Sequence, residues 1–162
     1  MDYRIVQREA FKVIGKVFKV STKEGEELRK IPEIWCECNS DGTCMDICSI
    51  DSRQNMLGIC MDFEHDKEQF SYMVAIENVK DITDTDFTVR EIPVATWAVF
   101  PSVGAMPQSI QKVWARIFQE WLPTADFKHA DAPELEVYFP GDPSAEDYKC
   151  EVWIPIIKII KN

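Results

Sequence analysis

The second half of this chain repeats the pattern of its first half. Two strand-like segments, residues 57–61 and 72–76, recur about 78 residues later as residues 135–139 and 150–154. A helical segment at residues 31–35 recurs at 110–114, and the opening residues 3–21 recur at 87–104. Because a duplication builds a pseudo-symmetric pair, the chain is constrained to two similar halves with a groove where the copies meet.

Each half follows the order strand, strand, helix, strand, strand. The first half gives strands at residues 3–8, 11–20, 55–63 and 69–78 and a helix at 26–38. The second half gives strands at 87–92, 96–100, 134–139 and 148–156 and a helix between Pro107 and Pro123. We expect the opening two strands of each half to pair as a hairpin. The order predicts an α+β fold of duplicated strand-strand-helix-strand-strand units forming antiparallel sheet, with the helices on one side and a ligand groove between the repeats.

Length and charge narrow the class of protein. The 162 residues suffice for one core, so we expect a single domain with repeats at residues 1–80 and 86–158. A formal net charge of −10 argues against direct nucleic-acid binding and favours a cationic or neutral small-molecule partner. The sequence has neither a signal-peptide pattern nor the ~20 apolar residues of a spanning helix, which predicts no membrane contact and a cytoplasmic location. Nothing in the composition indicates a cofactor.

The last predicted hairpin carries the residues most suited to ligand binding. Side chains alternate along a strand, so Leu135 and Val137 face away from Glu136 and Tyr138. If the aliphatic residues of both strands pack on the helix, then Glu136, Tyr138, Glu151 and Trp153 project together away from it. Such acidic and aromatic groups hold lipophilic cations by charge pairing and cation–π contact. The ordinary alternative is that an outward glutamate on such a strand simply faces solvent.

The corresponding positions of the first repeat are small or soft. They are Gly58, Cys60, Met73 and Ala75. Side chains of this kind would leave space opposite the acidic and aromatic wall, so we predict that they line the same groove.

Several segments are similar to a known family. They are residues 3–6, residues 87–93 leading into 96–99, and above all residues 134–139 and 147–155. The chain resembles the GyrI-like small-molecule-binding domain, which is also the C-terminal effector-binding domain of AraC-type and multidrug-sensing regulators. The resemblance implies a groove in which an acidic residue of the last hairpin meets cationic or drug-like ligands. Glu136 and Glu151 stand at the matching positions, and Trp97 would line the same groove.

The resemblance implies two functions of different class. The first is a receptor or sequestering protein for hydrophobic, cationic small molecules; the first strand begins at Tyr3 without a DNA-binding segment, so regulation would need a separate protein. The alternative is a hydrolase of strained-ring xenobiotics, with Glu136, Glu151 and Tyr138 as its acid–base set. We favour the binding function over the enzyme.

The remaining chemistry-bearing residues give weaker signals. Cys36, Cys38, Cys44 and Cys48 lie close together but contain no C-x2-C pair, so we predict free thiols and no metal, while redox activity stays open. His65 and His129 lie in Asp-rich loops and are interpreted as solvent groups.

Overall fold

The computed structural model describes residues 1–160 and contains nine strands and three α-helices in that part of the chain. The strands are β1 (Arg4–Arg8), β2 (Phe11–Ser21), β3 (Met56–Glu64), β4 (Gln69–Glu77), β5 (Thr88–Ile92), β6 (Ala95–Val103), β7 (Phe127–His129), β8 (Glu134–Tyr138) and β9 (Lys149–Lys158). The helices are α1 (Glu27–Ser40), α2 (Thr43–Cys48) and α3 (Gln108–Arg116), and a π-helical turn over Ile117–Trp121 continues α3. No helix among these residues is long and apolar enough to cross a bilayer.

The chain divides into two compact units. The contiguous unit is Phe11–Ile92, and the split unit joins Met1–Ala10 to the chain from Pro93 onward. Each unit therefore contains one strand that the sequence assigned to the other repeat. The expected boundaries at residues 1–80 and 86–158 differ from this division because β1 and β5 each pair outside their own repeat.

The contiguous unit has the strand order β3-β4-β2-β5, and every pairing is antiparallel. Residues of β2, β3 and β4 pack against α1 and α2 through buried side chains that include Ile14, Tyr72, Val74 and Ile34. The helices cover one face of the strands, as the sequence predicts.

The split unit has the strand order β1-β6-β9-β8, with β7 also paired to β9, and is again antiparallel throughout. One face of its strands packs against α3 and the π-helical turn. The buried side chains of that helix-covered face include Phe100, Cys150, Val152, Ile154 and Trp121. The antiparallel α+β fold with helices on one side is thus confirmed in each unit.

The two opening hairpins are the part of the fold that the sequence predicted wrongly. Residues 4–8 pair with β6, in the register Val6 opposite Trp97, and residues 88–92 pair with β2, in the register Val89 opposite Ile14. Alternation shows that a segment is a strand but carries no information on its partner, so the nearest strand was assumed. Two short elements, α2 and β7, were not predicted.

Candidate functional site

The register of β8 on β9 decides which predicted site residues meet. Glu136 lies opposite Val152 and Tyr138 lies opposite Cys150. Directly opposed residues of an antiparallel pair share a face, so Glu136 and Tyr138 lie on the helix-covered face. The expectation that Glu136 and Tyr138 project away from the helix beside Glu151 and Trp153 is therefore wrong. The register of β8 against β9 differs by one residue from the expected register. A shift of one residue moves every side chain of a strand to the other face.

Glu136 is the centre of an aromatic cluster beneath α3. The Trp114 indole Nε1 donates to Glu136 Oε2 at 2.9 Å, and the Tyr138 hydroxyl donates to Glu136 Oε1 at 3.0 Å. Only 4% of Glu136 is exposed. These two hydrogen bonds hold both carboxylate oxygens in place. The arrangement puts a buried acid among aromatic rings.

The cluster continues to the surface along α3 and the π-helical turn. The rings of Trp114 and Phe118 stack with centroids 6.1 Å apart and an interplanar angle of 4°. Phe118 is 43% exposed, although large apolar side chains are ordinarily buried. The two rings extend the apolar surface outward from Glu136, which suits a ligand that is both lipophilic and charged.

Glu151, Trp153 and Trp97 form a second grouping on the opposite face of the split unit. The Trp153 indole donates to Glu151 Oε1 at 3.2 Å, and the Trp97 and Trp153 rings meet edge-on with centroids 5.9 Å apart. The structure thus brings these three predicted residues together. Arg4 pairs with Glu151 Oε2 at 2.7 Å, so this carboxylate already has a cationic partner. The Trp97 Nε1–H group is buried and donates to no hydrogen-bond partner within residues 1–160.

The separation of the two glutamates bears on the hydrolase alternative. A close acid–base pair of carboxylates needs both groups to reach one reacting atom. Glu136 on β8 and Glu151 on β9 lie on opposite faces of this strand pair, so they do not form such a pair of carboxylates. Their geometry gives the alternative no support.

The four small or soft residues of the contiguous unit also divide between two faces. Gly58 lies opposite Val74 and Cys60 opposite Tyr72, which places them on the helix-covered face. Met73 and Ala75 lie on the other face, opposite Ile59 and Leu57. All four are buried in the contiguous unit. The expectation that they share one wall is wrong, and we assign them no ligand contact.

Sequence reasoning missed a second acidic position on the helix-covered face. Glu134 and Glu136 are two residues apart on β8 and share a face, and Glu134 is 9% exposed. His129 Nε2 contacts Glu134 Oε1 at 3.2 Å, while His129 Nδ1 accepts from the Asp131 backbone N–H at 3.0 Å. This second bond leaves Nε2 as the nitrogen that carries hydrogen and donates to Glu134. Alternation from Glu136 to Glu134 was the available signal; His129 gave none, because a three-residue strand resembles a loop.

Two other ionisable groups near this face add no negative charge at neutral pH. Burial raises the pKa of the Cys150 thiol to about 11 and that of the Tyr148 hydroxyl to about 12. The Tyr148 hydroxyl donates to the Phe139 carbonyl at 2.9 Å. Neither group therefore adds a negative charge to those of the β8 glutamates on this face.

The cysteine-rich segment lies in the contiguous unit. None of the six cysteines forms a disulfide bond, and Cys38 and Cys44 are buried between α1, α2 and the strands. Across residues 1–160, no group of three or more His, Cys, Asp and Glu side chains has the arrangement of a metal site.

The fold of the two units identifies the class of protein. Antiparallel strands covered by helices on one face are those of a GyrI-like domain, which confirms the resemblance found in the sequence. The chain belongs to the Cass2 family of integron-associated effector binding proteins, whose family model matches residues 4–156. A comparison with curated proteins found no match.

Solved structures share the fold over nearly the whole chain. SAV2435 bound to tetraphenylphosphonium is similar over 97% of this chain and 94% of its own, with 22% identity and a TM-score of 0.85. An integron cassette protein from the mobile metagenome of Vibrio cholerae covers 96% and 95% with 15% identity and a TM-score of 0.70. The EcmrR C-terminal domain covers 98% of each chain with 15% identity and a TM-score of 0.65. At these identities the likeness shows the fold.

Proposed function

We propose that this protein binds lipophilic organic cations, with Glu136 as the counter-charge and Trp114 and Tyr138 as the aromatic partners. The observation that carries the proposal is the position of Glu136, which is 4% exposed and accepts hydrogen bonds from both aromatic side chains. The fold would serve effector sensing or sequestration, and any control of transcription through a separate regulator would follow from ligand binding here.

The energetics favour a cation that is also apolar. A charge pair at about 4 Å is worth about 1 kcal/mol in water and about 4 kcal/mol at the effective dielectric near a protein surface. Contact with an indole or phenol face adds about 0.5–2 kcal/mol for a desolvated cation. A small, strongly hydrated cation gains the first of these but not the apolar contact with Trp114 and Phe118. The formal net charge of −10 also favours cations over anions of the same shape.

Two further observations support this choice. The structure most similar among those described above, SAV2435, is bound to tetraphenylphosphonium, a lipophilic cation. In this chain, Glu151, Trp153 and Trp97 supply a second acidic and aromatic grouping. Because Arg4 already pairs with Glu151, we assign that grouping a smaller share of the binding free energy.

The test is a titration with two ions of the same shape and opposite charge. Tetraphenylphosphonium and tetraphenylborate are added separately to the protein, and tryptophan fluorescence and calorimetry measure the affinity. We expect saturable binding of the phosphonium ion and at least tenfold weaker binding of the borate. Glu136→Gln keeps the side-chain shape and removes the charge, and we expect it to weaken phosphonium binding at least tenfold.

Glu146→Gln is the matched control, because Glu146 is an exposed acid of the split unit and its replacement changes the net charge equally. We expect it to leave the affinity unchanged. Equal affinity for the two ions, or an unchanged phosphonium affinity in Glu136→Gln with a native circular dichroism spectrum, would contradict the proposal. A loss in Glu151→Gln alone would move the site to the opposite face.

A further inference from the structure

The cysteine-rich segment has no part in the proposed ligand site, yet the fold brings two of its thiols together. Cys38 lies in the last turns of α1 and Cys44 in the first turn of α2. The chain reverses between them at Gly42, which has φ 88°, and the Asp41 side chain accepts from the Thr43 backbone N–H at 2.9 Å. A residue other than glycine would be strained at that φ, so the turn fixes the approach of the two helices.

The two thiols are neighbours in an apolar pocket. Cys38 and Cys44 belong to the same buried apolar cluster, are 1% and 8% exposed, and lie close enough to influence each other's pKa. Cys48 is engaged elsewhere, because its Sγ donates to Met56 Sδ at 3.1 Å. Cys36 lies on the exposed side of α1. Cys38 and Cys44 are therefore the two buried members of the four.

We propose that Cys38 and Cys44 form a dithiol site for thiophilic compounds that take two sulfur atoms, with trivalent aryl-arsenicals as the chemical class. This inference is independent of the proposed cation site. In the reaction, each thiol sulfur forms one bond to arsenic, and the two hydroxyl groups of the hydrated arsenical leave as two waters with the two thiol protons. Arsenic stays trivalent, so neither an oxidant nor a reductant is needed.

The geometry favours a compound that binds two sulfur atoms over a metal ion that needs three or more ligating side chains. No group of three or more metal-ligating side chains is arranged as a site within residues 1–160, whereas an aryl-arsenical needs only two thiols. Soft sulfur ligands also select soft centres over magnesium or calcium. The pocket provides sulfur and apolar carbon, which suits an aryl group on arsenic.

Access to the pair comes through α2. This helix has only six residues, and helices of that length depend on packing for their stability. Its Met45 side chain is 73% exposed, so α2 is an outer element of the contiguous unit, and Cys44 retains some exposure. Local opening of such an element is the ordinary route by which buried groups react.

The experiment uses phenylarsine oxide on the intact protein, followed by mass spectrometry. We expect one phenylarsenic group per chain, resistant to 2-mercaptoethanol and removed by 1,2-ethanedithiol. After denaturation and alkylation, residues 31–53 form one tryptic peptide that carries all four cysteines. We expect alkylation at Cys36 and Cys48 and protection at Cys38 and Cys44.

Single variants identify the pair. Cys38→Ala and Cys44→Ala should each abolish the adduct that resists 2-mercaptoethanol, whereas Cys36→Ala and Cys48→Ala should retain it. Protection of Cys44 with Cys48, or no stable adduct on the wild-type chain, would overturn the inference. Because the protection pattern is read on the wild-type protein, the test holds even where a variant fails to fold.

Discussion

In each unit the indole of a helix donates to a strand side chain, but the two acceptors differ in chemistry. In the split unit the indole of Trp114 donates to the Glu136 carboxylate at 2.9 Å, and in the contiguous unit the indole of Trp35 donates to the Tyr72 hydroxyl at 2.7 Å. In both units a helix supplies the indole and a strand supplies the acceptor. The acceptor is an acid in only one of them. The comparison separates a feature that both units share, a bonded indole, from one that the proposed cation site needs, a charge.

The strand register strengthens this comparison. Gly58 lies opposite Val74 in the contiguous unit, and Glu136 lies opposite Val152 in the split unit. Cys60 opposite Tyr72 corresponds in the same way to Tyr138 opposite Cys150. The two β-hairpins therefore have the same register, and the sequence alone puts an acid into one of them.

The largest expected effect is a loss of stability from a substitution in β2, a central strand of the contiguous unit. Gly15 of β2 lies between β4 and β5, and a Cβ at this position would be 1.9 Å from the Val74 carbonyl oxygen. Backbone cannot yield as a flexible side chain does, so Gly15→Ala should lower the free energy of unfolding by about 3 kcal/mol. Urea denaturation measures it.

Ala98 is the matched position on β6, between β1 and β9, and it is fully buried. Ala98→Gly removes one methyl group and should lower the free energy of unfolding by about 1 kcal/mol. Equal effects of the two substitutions would show that the close approach at Gly15 is not what distinguishes the contiguous unit.

The second prediction concerns the number of acids on the helix-covered face. Glu134 and Glu136 lie two strand residues apart, which corresponds to about 7 Å. The positions that correspond in β3 are Met56 and Gly58, so the contiguous unit has no such pair. Methyl viologen is a flat dication with a similar charge separation, and N-methyl-4-phenylpyridinium is a monocation of nearly the same shape. We expect about tenfold tighter binding of the dication, or about 1.4 kcal/mol.

Glu134→Gln should remove this preference and leave the affinity for the monocation unchanged. Calorimetric titration of both compounds into the wild type and the variant gives the ratio directly. A ratio near one in the wild type would mean that Glu134 serves only its partner His129. If neither the dication nor the monocation binds, the result would contradict the cation site itself.

Strand and helix positions were predictable from local pattern. Eight of the strand segments, all but β7, were expected within a few residues, because alternation and turn residues are properties of neighbouring positions. Partner choice was not predictable in the same way. Val6 could pair with any strand of suitable alternation, and only tertiary packing selects Trp97 on β6 as its neighbour.

The sequence predicted the types of residue in the site but not the face of the strands on which each residue lies. Glu136 and Tyr138 were identified because acids and rings alternate with aliphatic residues on β8. Their relation to Glu151 depends on the register between two strands, which no single-strand pattern contains. Trp114 falls within the helix predicted between Pro107 and Pro123, and that prediction gave no indication that its Nε1 would donate to Glu136.

The third prediction replaces the indole in each unit. Trp114→Phe and Trp35→Phe each remove one hydrogen bond and should each lower the free energy of unfolding by about 1 kcal/mol. Only Trp114→Phe should weaken tetraphenylphosphonium binding, by about fivefold, because only Trp114 orients an acid. Thermal denaturation and fluorescence titration of both variants test this. An equal loss of affinity in both would remove the distinction between the units.

The smallest effect is expected at the acid and alkaline limits of stability. Hydrogen bonds from Arg53, and then from Gln54, lower the pKa of Asp51 in the contiguous unit to about 2. A lowered pKa contributes stability that is present above the unfolded value of about 3.9 and is lost as the pH falls toward 2. Burial raises the pKa of Tyr148 in the split unit to about 12, so its contribution is complete below about pH 10 and is lost as the pH rises toward 12. Arg53 is 72% exposed, which limits the loss of stability at acid pH.

Urea denaturation from pH 2 to pH 11 measures the free energy of unfolding at each pH. We expect this free energy to depend less on pH below about pH 4 in Asp51→Asn, and less on pH above about pH 10 in Tyr148→Phe. If Asp51→Asn instead changed the pH dependence only in the alkaline range, Asp51 could not be the acid-sensitive group of the contiguous unit.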